Sequence, residues 1–472
     1  MLTAGNENIR DMFLGLDQEV EYEGGKKAAV NLDCAATTPP FVKVVEEIHK
    51  QMLMYGSIGR GTGQKSRYSS EIYAKGREAV LDFVGADKNT YTVIYTNCAT
   101  DGMNKLASAL VESHRDVILT TRMEHHANDL PWRERARTVY VDVDMDNGGR
   151  LRFEEFEKIL EKYNWYTDAD DNRVFRGTIK YVCVTAASNV TGYMNDVHKI
   201  AGIAHKHGAK IVVDGAQIIA HREFRMKGAT PEEDEDIDFL VFSAHKMYSP
   251  FGGGAIVGLK DVLNARLPVF YGGGMVDKVT DNDVLYSKAP DLYEAGSPNY
   301  PGVVGMITAM ETLKSFGFDL IKKHEEDLLR YALSKLQKIN EDRGSNEVIL
   351  YGDCEKIDDR VGILVFNILR RKSGDVANFL ARHAAIAVRS AKFCAHTYVD
   401  RLLPPVVSDM LDGACAYDGL VRVSFGLFST EKDVDELVSA IRDLLDGTFD
   451  AAFTSYRDAA ADSAVGMPND RG

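Results

Sequence analysis

The sequence predicts an α/β fold built on a mainly parallel sheet that helices cover on both faces. Short apolar runs typical of strands alternate with segments of helical spacing for most of the chain, which is the pattern of parallel sheets. The runs are continuous rather than alternating in polarity, which indicates strands buried on both faces. With 45% hydrophobic and 27% charged residues, the composition is that of a globular protein with a large core.

The predicted elements follow one another in order along the first 260 residues. The strands occupy β-branched or aromatic runs at residues 91–96, 116–121, 179–185, 210–213, 239–242 and 255–257. Helical spacing lies between them, in a segment that runs through residue 111 and at residues 153–162 and 196–207. Sheets of this kind bind ligands at the carboxyl ends of their strands, so we expect the functional residues there.

The pattern changes near residue 301, where we expect a second, smaller α/β domain. Its helices are predicted at residues 302–316, 318–340, 375–383 and 431–445, and its strands at residues 362–367 and 420–424. The resulting division has an N-terminal segment that joins the small domain (1–28), a large domain (29–300), the small domain (301–450) and a tail (451–472). The tail is rich in Ala and Asp, so we expect it to be frayed.

Charge and composition argue against several classes of function. Lys and Arg number 56 and Asp and Glu 71, which gives a formal net charge of −15. That balance argues against nucleic-acid binding and against a polybasic membrane contact. No apolar run approaches the roughly 18 residues that span a bilayer, and the N-terminus lacks the apolar core of a signal peptide.

The cysteines predict a reduced protein in the cytoplasm. There are six in the chain, and no two are closer than residues 394 and 415. No Cys-x-x-Cys motif for zinc or redox chemistry is therefore present, and we assign no metal site.

Two residues at predicted strand ends have the chemistry of a cofactor site. Lys246 follows the strand at 239–242, where burial would lower the pKa of its amine and let it form a Schiff base. Asp214 ends the strand KIVVD, where a carboxylate can keep a pyridinium nitrogen protonated, as pyridoxal phosphate (PLP) requires. A surface-loop lysine and a helix N-cap aspartate are the ordinary alternatives. One helix and one strand fit between the two residues, which would place both at one sheet edge.

Three further segments could contribute to the same site. Residues 98–102 join a strand to a helix, where backbone amides such as that of Ala99 and the hydroxyl of Thr100 can bind an anion. Ser243 and His245 flank the lysine and could contact the same phosphate. A plain strand-to-helix turn is the alternative. His125, in the motif EHHAN, could stack on a planar ring, and an ordinary core or surface histidine is the alternative.

Together these segments resemble the class V aminotransferase family of PLP enzymes, most closely its cysteine desulfurase and selenocysteine lyase branch. The resemblance spans roughly residues 30–445 and implies fold type I of the PLP-dependent transferases. That fold has a large domain around a mainly parallel seven-stranded sheet and a smaller C-terminal α/β domain. The matching motifs, in the order of the family, are NLDCAATT (31–38), CATDGMN (98–104), MEHHANDLPW (123–132), ASNVTG (187–192), VDGAQ (213–217), FSAHKMYSP (242–250), YEAGSPN (293–299) and VRSAKFC (388–394).

The resemblance implies a role for each residue around the cofactor. Lys246 would hold PLP as a Schiff base and shuttle a proton, while Asp214 would bind the ring nitrogen and Gln217 the ring hydroxyl. His125 would stack on the ring, with Asn189 nearby. The phosphate would be held by Ala99, Thr100, Ser243 and His245. Ser297 matches a position that reaches the phosphate of the neighbouring subunit, which implies a homodimer.

The resemblance also implies how an amino-acid substrate is bound. Arg389 matches the arginine that clamps the substrate carboxylate, for which a planar guanidinium is suited. Arg422 matches a second active-site arginine, with a structural salt bridge as the alternative. Cys394 lies at the desulfurase spacing after Arg389, and its thiolate could attack the substrate sulfur and carry a persulfide. Lys392 or His396 would favour the thiolate if they face it. A buried structural cysteine is the alternative.

The implied activity is that of a cysteine desulfurase, which converts L-cysteine to L-alanine and leaves a persulfide on Cys394. A selenocysteine lyase, a C–S lyase on a cysteine derivative, and an aminotransferase or epimerase are alternatives on the same fold. A non-catalytic sulfur-trafficking protein is a further alternative, against which the pair Lys246 and Asp214 argues. The persulfide would leave to a small thiol or to an acceptor protein.

Three segments depart from the family pattern. The stretch GRGTG at 59–63 lacks histidines that relatives carry, and no strand precedes it as a nucleotide loop would need. Residues 390–393 lack the glycine and histidines common before the cysteine in relatives. Residues 163–177 read as a polar surface insertion.

Overall fold

The computed structural model describes residues 3–4, 7–59, 61–230, 234–267, 270–403 and 417–447. It confirms the predicted α/β class, with a mainly parallel sheet and a second, smaller sheet. The predicted tail at 451–472 lies outside the described residues, and so do Arg60 of the glycine-rich stretch and residues 448–450. The boundaries between domains stay a prediction.

The larger sheet has seven strands. Their order across the sheet is Tyr91–Thr96, Gly254–Leu259, Phe239–Ser243, Lys210–Asp214, Ile179–Thr185, Val117–Thr121 and Arg137–Val141. All neighbouring pairs are parallel except the two that involve Gly254–Leu259, which runs antiparallel to both of its neighbours. The connection before that strand, residues 244–253, is shorter than the dozen or more residues that a parallel crossover needs.

This sheet is buried on both faces. Along the strand Phe239–Ser243, Leu240 and Phe242 pack into one hydrophobic cluster, whereas Phe239 and Val241 pack into another. Successive side chains of a strand point to opposite faces, so each face has its own core. Because both faces are buried, the strands are apolar at successive positions rather than at alternate ones, which explains the continuous apolar runs in the sequence.

Seven of the observed helices agree with the sequence prediction to within a few residues. These are Ala99–Leu110, Glu154–Asn164, Val197–Lys206, Tyr300–Phe316, Phe318–Arg343, Ser373–Ala384 and Glu431–Leu445. Five further helices were not predicted, namely Val42–Met52, Gln64–Phe83, Leu130–Arg133, Lys260–Asn264 and His396–Leu402. Short 3-10 helices are Ile9–Met12, His126–Asn128, Met145–Asn147, Ile218–Ala220, Ala244–Lys246 and Asp291–Tyr293.

The smaller sheet is antiparallel and has four strands. Their order is Val348–Tyr351, Ile363–Ile368, Leu420–Ser424 and Arg389–Ala391. Apolar side chains of the helices Phe318–Arg343 and Glu431–Leu445 pack with this sheet in one cluster. The N-terminal segment reaches one of these helices through an ion pair of 2.6 Å between Lys27 and Glu436.

The remaining strands form two-stranded pairs. These are Thr3–Ala4 with Glu7–Asn8, Glu19–Tyr22 with Gly25–Ala28, Val30–Asn31 with Ile386–Ala387, Val143–Asp144 with Arg150–Leu151, Trp165–Thr167 with Arg173–Phe175, and Val276–Val279 with Val284–Tyr286. The fifth pair is the predicted insertion, a hairpin whose residues are mostly exposed. The buried side chain of Asn164 anchors this hairpin. Its Nδ2 donates a hydrogen bond to the Ile179 carbonyl, and its Oδ1 accepts one from the Ile179 amide.

The glycine-rich stretch at 59–63 lies between the helices Val42–Met52 and Gln64–Phe83. A helix rather than a strand precedes it, as the sequence indicates, and the Gly59 amide donates to Ser70 Oγ at 2.8 Å. Within the described part of the chain, no helix is both long enough and apolar enough to cross a bilayer.

Candidate active site

A cavity of about 220 Å³ opens at the carboxyl ends of the parallel strands. It brings together residues that are more than three hundred positions apart in the sequence. The predicted site residues that line it are Ala99, Thr100, His125, Asn189, Asp214, Gln217, Ser243, His245, Lys246, Arg389, Cys394 and Arg422. Ser297 lies elsewhere, in a separate cavity that it lines with Tyr73, Tyr95 and Glu294.

Lys246 ends the short helix that directly follows the strand Phe239–Ser243. Its amine lies within the cavity, and withdrawal from water lowers its pKa to about 8. The nearby Asp214 carboxylate opposes this shift, whereas the positive charge of Arg422 adds to it. A lysine with this pKa is partly neutral near physiological pH and can act as a nucleophile or as a base.

Asp214 ends the neighbouring strand Lys210–Asp214 and Gln217 follows it, and both side chains are buried. One oxygen of Asp214 accepts a hydrogen bond from the Ala216 amide at 2.9 Å, which leaves the other oxygen for a partner in the cavity. Burial raises the pKa of this carboxyl. The Gln217 amide donates to the Ala35 carbonyl at 3.0 Å, while its buried Oε1 has no hydrogen-bond partner among the described residues. That oxygen can accept a hydrogen bond from a hydroxyl group of a ligand.

The helix Ala99–Leu110 points its N-terminus at the cavity. The Ala99 amide donates to Ser243 Oγ at 2.6 Å, and the exposed hydroxyl of Thr100 lies beside it. Burial, followed by the charge of Lys246, lowers the pKa of His245 to about 4, so its imidazole is neutral. Amides and hydroxyls at a helix N-terminus are donors that a phosphate group can use.

His125 lies in the turn after the strand Val117–Thr121. Its Nδ1 accepts a hydrogen bond from the Ala127 amide at 3.0 Å, so the ring proton of the neutral imidazole is on Nε2. Burial, followed by the charge of Lys246, lowers the pKa of His125 to about 3. The ring is therefore neutral at physiological pH, which suits stacking on an aromatic ligand.

Arg389 and Arg422 are directly opposite each other on neighbouring antiparallel strands. Like charges in that register repel, and the carboxylate of Asp33 lies between them. Asp33 accepts a hydrogen bond from Arg422 Nη2 at 2.8 Å and lies 3.9 Å from Arg389 Nη1. Asp33 stands in the motif NLDCAATT, and nothing in that motif indicates these two partners.

The two arginine side chains differ in solvent exposure and in their hydrogen-bond partners. Arg422 is 3% exposed and also donates to the Asn189 carbonyl at 2.9 Å, so it forms the structural salt bridge that was its alternative interpretation. The Arg389 side chain is 57% exposed, and its contact with Asp33 is long. The guanidinium of Arg389 is therefore the more accessible of the two.

Cys394 carries an exposed free thiol at the mouth of the cavity, so the interpretation as a buried structural cysteine is wrong. Phe393 and Cys394 both have positive φ values, 50° and 54°, a conformation that costs energy outside glycine. Two hydrogen bonds hold it: Asn189 Nδ2 donates to the Phe393 carbonyl at 2.8 Å, and the His126 amide donates to the Cys394 carbonyl at 2.6 Å.

The two neighbours that could have favoured the thiolate have partners of their own. Lys392 forms an ion pair of 2.6 Å with Asp400. The His396 ring packs edge-to-face on His126, with 4.5 Å between the ring centroids. Both contacts fix the segment around Cys394 from the outside.

Comparison with known proteins places this site in a family. Residues 30–437 match the family described as Aminotransferase class-V. The chain belongs to the class V aminotransferase family. Among curated members, a probable cysteine desulfurase of Halalkalibacterium halodurans is 31% identical over 442 residues, which are 92% of this chain and 96% of the relative. A cysteine desulfurase of Haloferax volcanii is 31% identical over 428 residues, 89% of this chain and 90% of that relative.

Solved structures of this family share the fold. An apo cysteine desulfurase from Thermococcus onnurineus is 25% identical with a TM-score of 0.75, over 89% of this chain and 95% of that one. The Escherichia coli cysteine desulfurase CsdA, in an S-sulfonic acid form, is 25% identical with a TM-score of 0.70, over 93% and 98% of the two chains. The predicted fold type and family are thereby confirmed.

The residues of the cavity fit PLP, the cofactor of this family. The partly neutral amine of Lys246 suits its aldehyde, and the free oxygen of Asp214 suits its ring nitrogen. The unpartnered Oε1 of Gln217 suits its ring hydroxyl. The helix N-terminus at Ala99 suits its phosphate. The individual roles of these residues stay a prediction.

Proposed function

We propose that this protein is a PLP-dependent cysteine desulfurase, which converts L-cysteine to L-alanine and takes up the sulfur on Cys394. The observation that carries the proposal is the exposed Cys394 thiol, which lines the same cavity as Lys246 and Asp214. Cysteine desulfurases that are 31% identical over about nine-tenths of the chain support it.

The cofactor would be held by the residues whose geometry fits it. Lys246 would bind the aldehyde, Asp214 the ring nitrogen and Gln217 the ring hydroxyl, while His125 would stack on the ring. The phosphate would be bound by Ala99, Thr100, Ser243 and His245. PLP held in this way withdraws electrons from the α-carbon of a bound amino acid.

The chain's own side chains would then bind the substrate and move its protons. Arg389 would bind the substrate carboxylate through two parallel hydrogen bonds, as its planar guanidinium allows. Arg422 would keep Asn189 and Asp33 in place beside it. The amine of Lys246, with a pKa of about 8, would take the proton from the α-carbon and later return one.

Cys394 would perform the sulfur transfer. Its thiolate attacks the substrate Sγ, so a sulfur–sulfur bond forms while the Cβ–Sγ bond breaks. The electron pair of the broken bond stays with Cβ, which takes a proton and becomes the methyl group of alanine. The sulfur remains on the enzyme as a persulfide.

We also propose a homodimer in which Ser297 contacts the phosphate of the neighbouring subunit. Its position in a cavity separate from the Lys246 site supports this assignment. A thiol, either small or on an acceptor protein, would remove the outer sulfur of the persulfide. A location in the cytoplasm stays a prediction.

The test is a product assay on purified protein supplied with PLP and L-cysteine. We expect alanine and protein-bound persulfide, and we expect Cys394→Ser to abolish both. Cys354→Ser, which changes a free cysteine away from the cavity, is the matched control and should behave as the unchanged protein. Undiminished alanine release by Cys394→Ser would refute the role of Cys394. Activity on selenocysteine or on an amino acid/keto acid pair, without activity on cysteine, would refute the assignment of the reaction.

A further inference from the structure

A buried carboxylate beneath the site has no role in the function proposed above. Glu124 is 2% exposed and directly precedes His125. Its Oε1 accepts hydrogen bonds from Thr121 Oγ1 at 2.6 Å and from the Thr185 amide at 3.1 Å, and its Oε2 accepts one from Asn128 Nδ2 at 2.7 Å. All three donors are themselves buried.

The direction of this network requires an acceptor at position 124. The indole of Trp132 can only donate, and it donates to Asn128 Oδ1 at 3.0 Å. The NH₂ group of Asn128 must therefore face Glu124. The Thr185 amide, which can also only donate, faces the other oxygen. A carboxylate satisfies both donors at once, whereas an amide side chain would place its own NH₂ group against one of them.

This network fixes the turn that carries His125. Asn128 ends the short helix His126–Asn128, and within that helix the Ala127 amide orients the His125 ring through Nδ1. The carboxylate of Glu124 accepts from both Asn128 and the Thr185 amide, so it links this helix to the strand Ile179–Thr185. That strand is the neighbour of Val117–Thr121 in the sheet.

The same turn also holds the cysteine segment. The His126 amide donates to the Cys394 carbonyl at 2.6 Å, next to the strained residues Phe393 and Cys394. A shift of the turn would therefore move His125 and Cys394 together.

Burial, with a smaller contribution from the charge of Asp214, raises the pKa of Glu124 to about 8. Both charge forms keep an acceptor toward Asn128 and Thr185, because a proton on Oε1 can be donated to Thr121 Oγ1.

We propose that Glu124 is a positioning residue, whose three hydrogen bonds set the orientation of His125 and the place of Cys394 relative to the cofactor site. The proposal deepens the proposed function and rests on it for the identity of the cofactor. It predicts that the hydrogen-bond pattern, rather than the negative charge, is what the site requires at position 124.

The first test is Glu124→Gln. We expect the affinity for PLP to fall roughly 5- to 100-fold, because one buried donor is left without an acceptor and cofactor binding must reorder the turn. The visible circular dichroism of bound PLP should change as well, since it reports the placement of aromatic groups around the ring. Glu325→Gln is the matched control, because Glu325 is equally buried and accepts from His221 and Arg222 outside this site.

A double variant restores the hydrogen-bond pattern with the carboxylate moved from position 124 to position 128, and it remains informative if Glu124→Gln does not fold. In Glu124→Gln with Asn128→Asp, the new amide can donate to the new carboxylate, whose second oxygen still accepts from Trp132. The amide oxygen can accept from Thr185. We expect the double variant to recover the PLP affinity and the spectrum of the unchanged protein.

A measurement without cofactor makes the two proposals distinguishable. Nitrogen NMR of ¹⁵N-histidine-labelled apoprotein should show His125 as a single neutral tautomer with an unprotonated Nδ1, and Glu124→Gln should shift that signal. If the unchanged protein takes up no PLP, the proposed function fails and this NMR comparison still decides the role of Glu124. An unshifted His125 signal, an equal loss in Glu325→Gln, or a double variant without recovery would each overturn the inference.

Discussion

The pKa of Lys246 gives a prediction that can be worked out from the structure. Withdrawal of the amine from water lowers that pKa from 10.5 to about 8. At pH 7 the neutral fraction of the amine then rises about 300-fold over that of an ordinary lysine. We expect covalent uptake of PLP by the apoprotein to accelerate as the pH rises, to reach half of its maximum near pH 8, and to level off above it.

The assay measures the rate at which PLP attaches to Lys246 between pH 6 and pH 11. Borohydride traps the adduct, and mass spectrometry locates the modified residue. Lys246→Ala should trap nothing at this site, whereas Lys206→Ala, which removes an exposed lysine, should match the unchanged protein. Asp214→Asn should move the midpoint to lower pH, because the Asp214 carboxylate raises the pKa of the amine. A midpoint above pH 10 in the unchanged protein would refute the reasoning.

Two further predictions concern the arginine pair. Asp33→Asn removes the charge partner of the buried Arg422. We expect it to lower the free energy of unfolding, measured by urea denaturation, by about 3 kcal/mol. This value is at the lower end for buried ion pairs, because the Asp33 side chain is 18% exposed. A loss below 1 kcal/mol would contradict this account. Arg389→Ala should instead raise KM for cysteine roughly 10- to 100-fold with little change in Tm, since its side chain is 57% exposed. An unchanged KM would exclude Arg389 from substrate binding.

Six of the seven strands of the large sheet could be predicted because each carries its own evidence. The edge strand Arg137–Val141 was not predicted, and most of its residues are not fully buried. The run Phe239–Ser243 is apolar throughout, as a strand buried on both faces must be, and the polar residues Ser243 and Lys246 come where it ends. No strand direction was predicted for Gly254–Leu259, which runs antiparallel to Phe239–Ser243. The connection between the two strands is too short for the crossover that a parallel pair needs, so the sequence contained the evidence for this direction.

The cavity residues could also be predicted, since they stand in motifs with a fixed order along the chain. Lys246, Asp214 and Cys394 were assigned from strand ends and from the family resemblance, and all three line one cavity. Their chemical type was evident from the sequence, but their exposure and pKa were not. The exposed thiol of Cys394 and the lowered pKa of Lys246 depend on what surrounds each group.

The sequence by itself therefore determined the α/β class, the family and the set of chemical groups, because strand patterning and motifs are local properties of the chain. Only the tertiary structure decided which group contacts which. It placed Asp33 between two arginines that follow it by more than 350 positions, and it joined Glu124 to Thr185 across neighbouring strands. Such contacts depend on burial and on donor direction in three dimensions, and no spacing in the sequence encodes them.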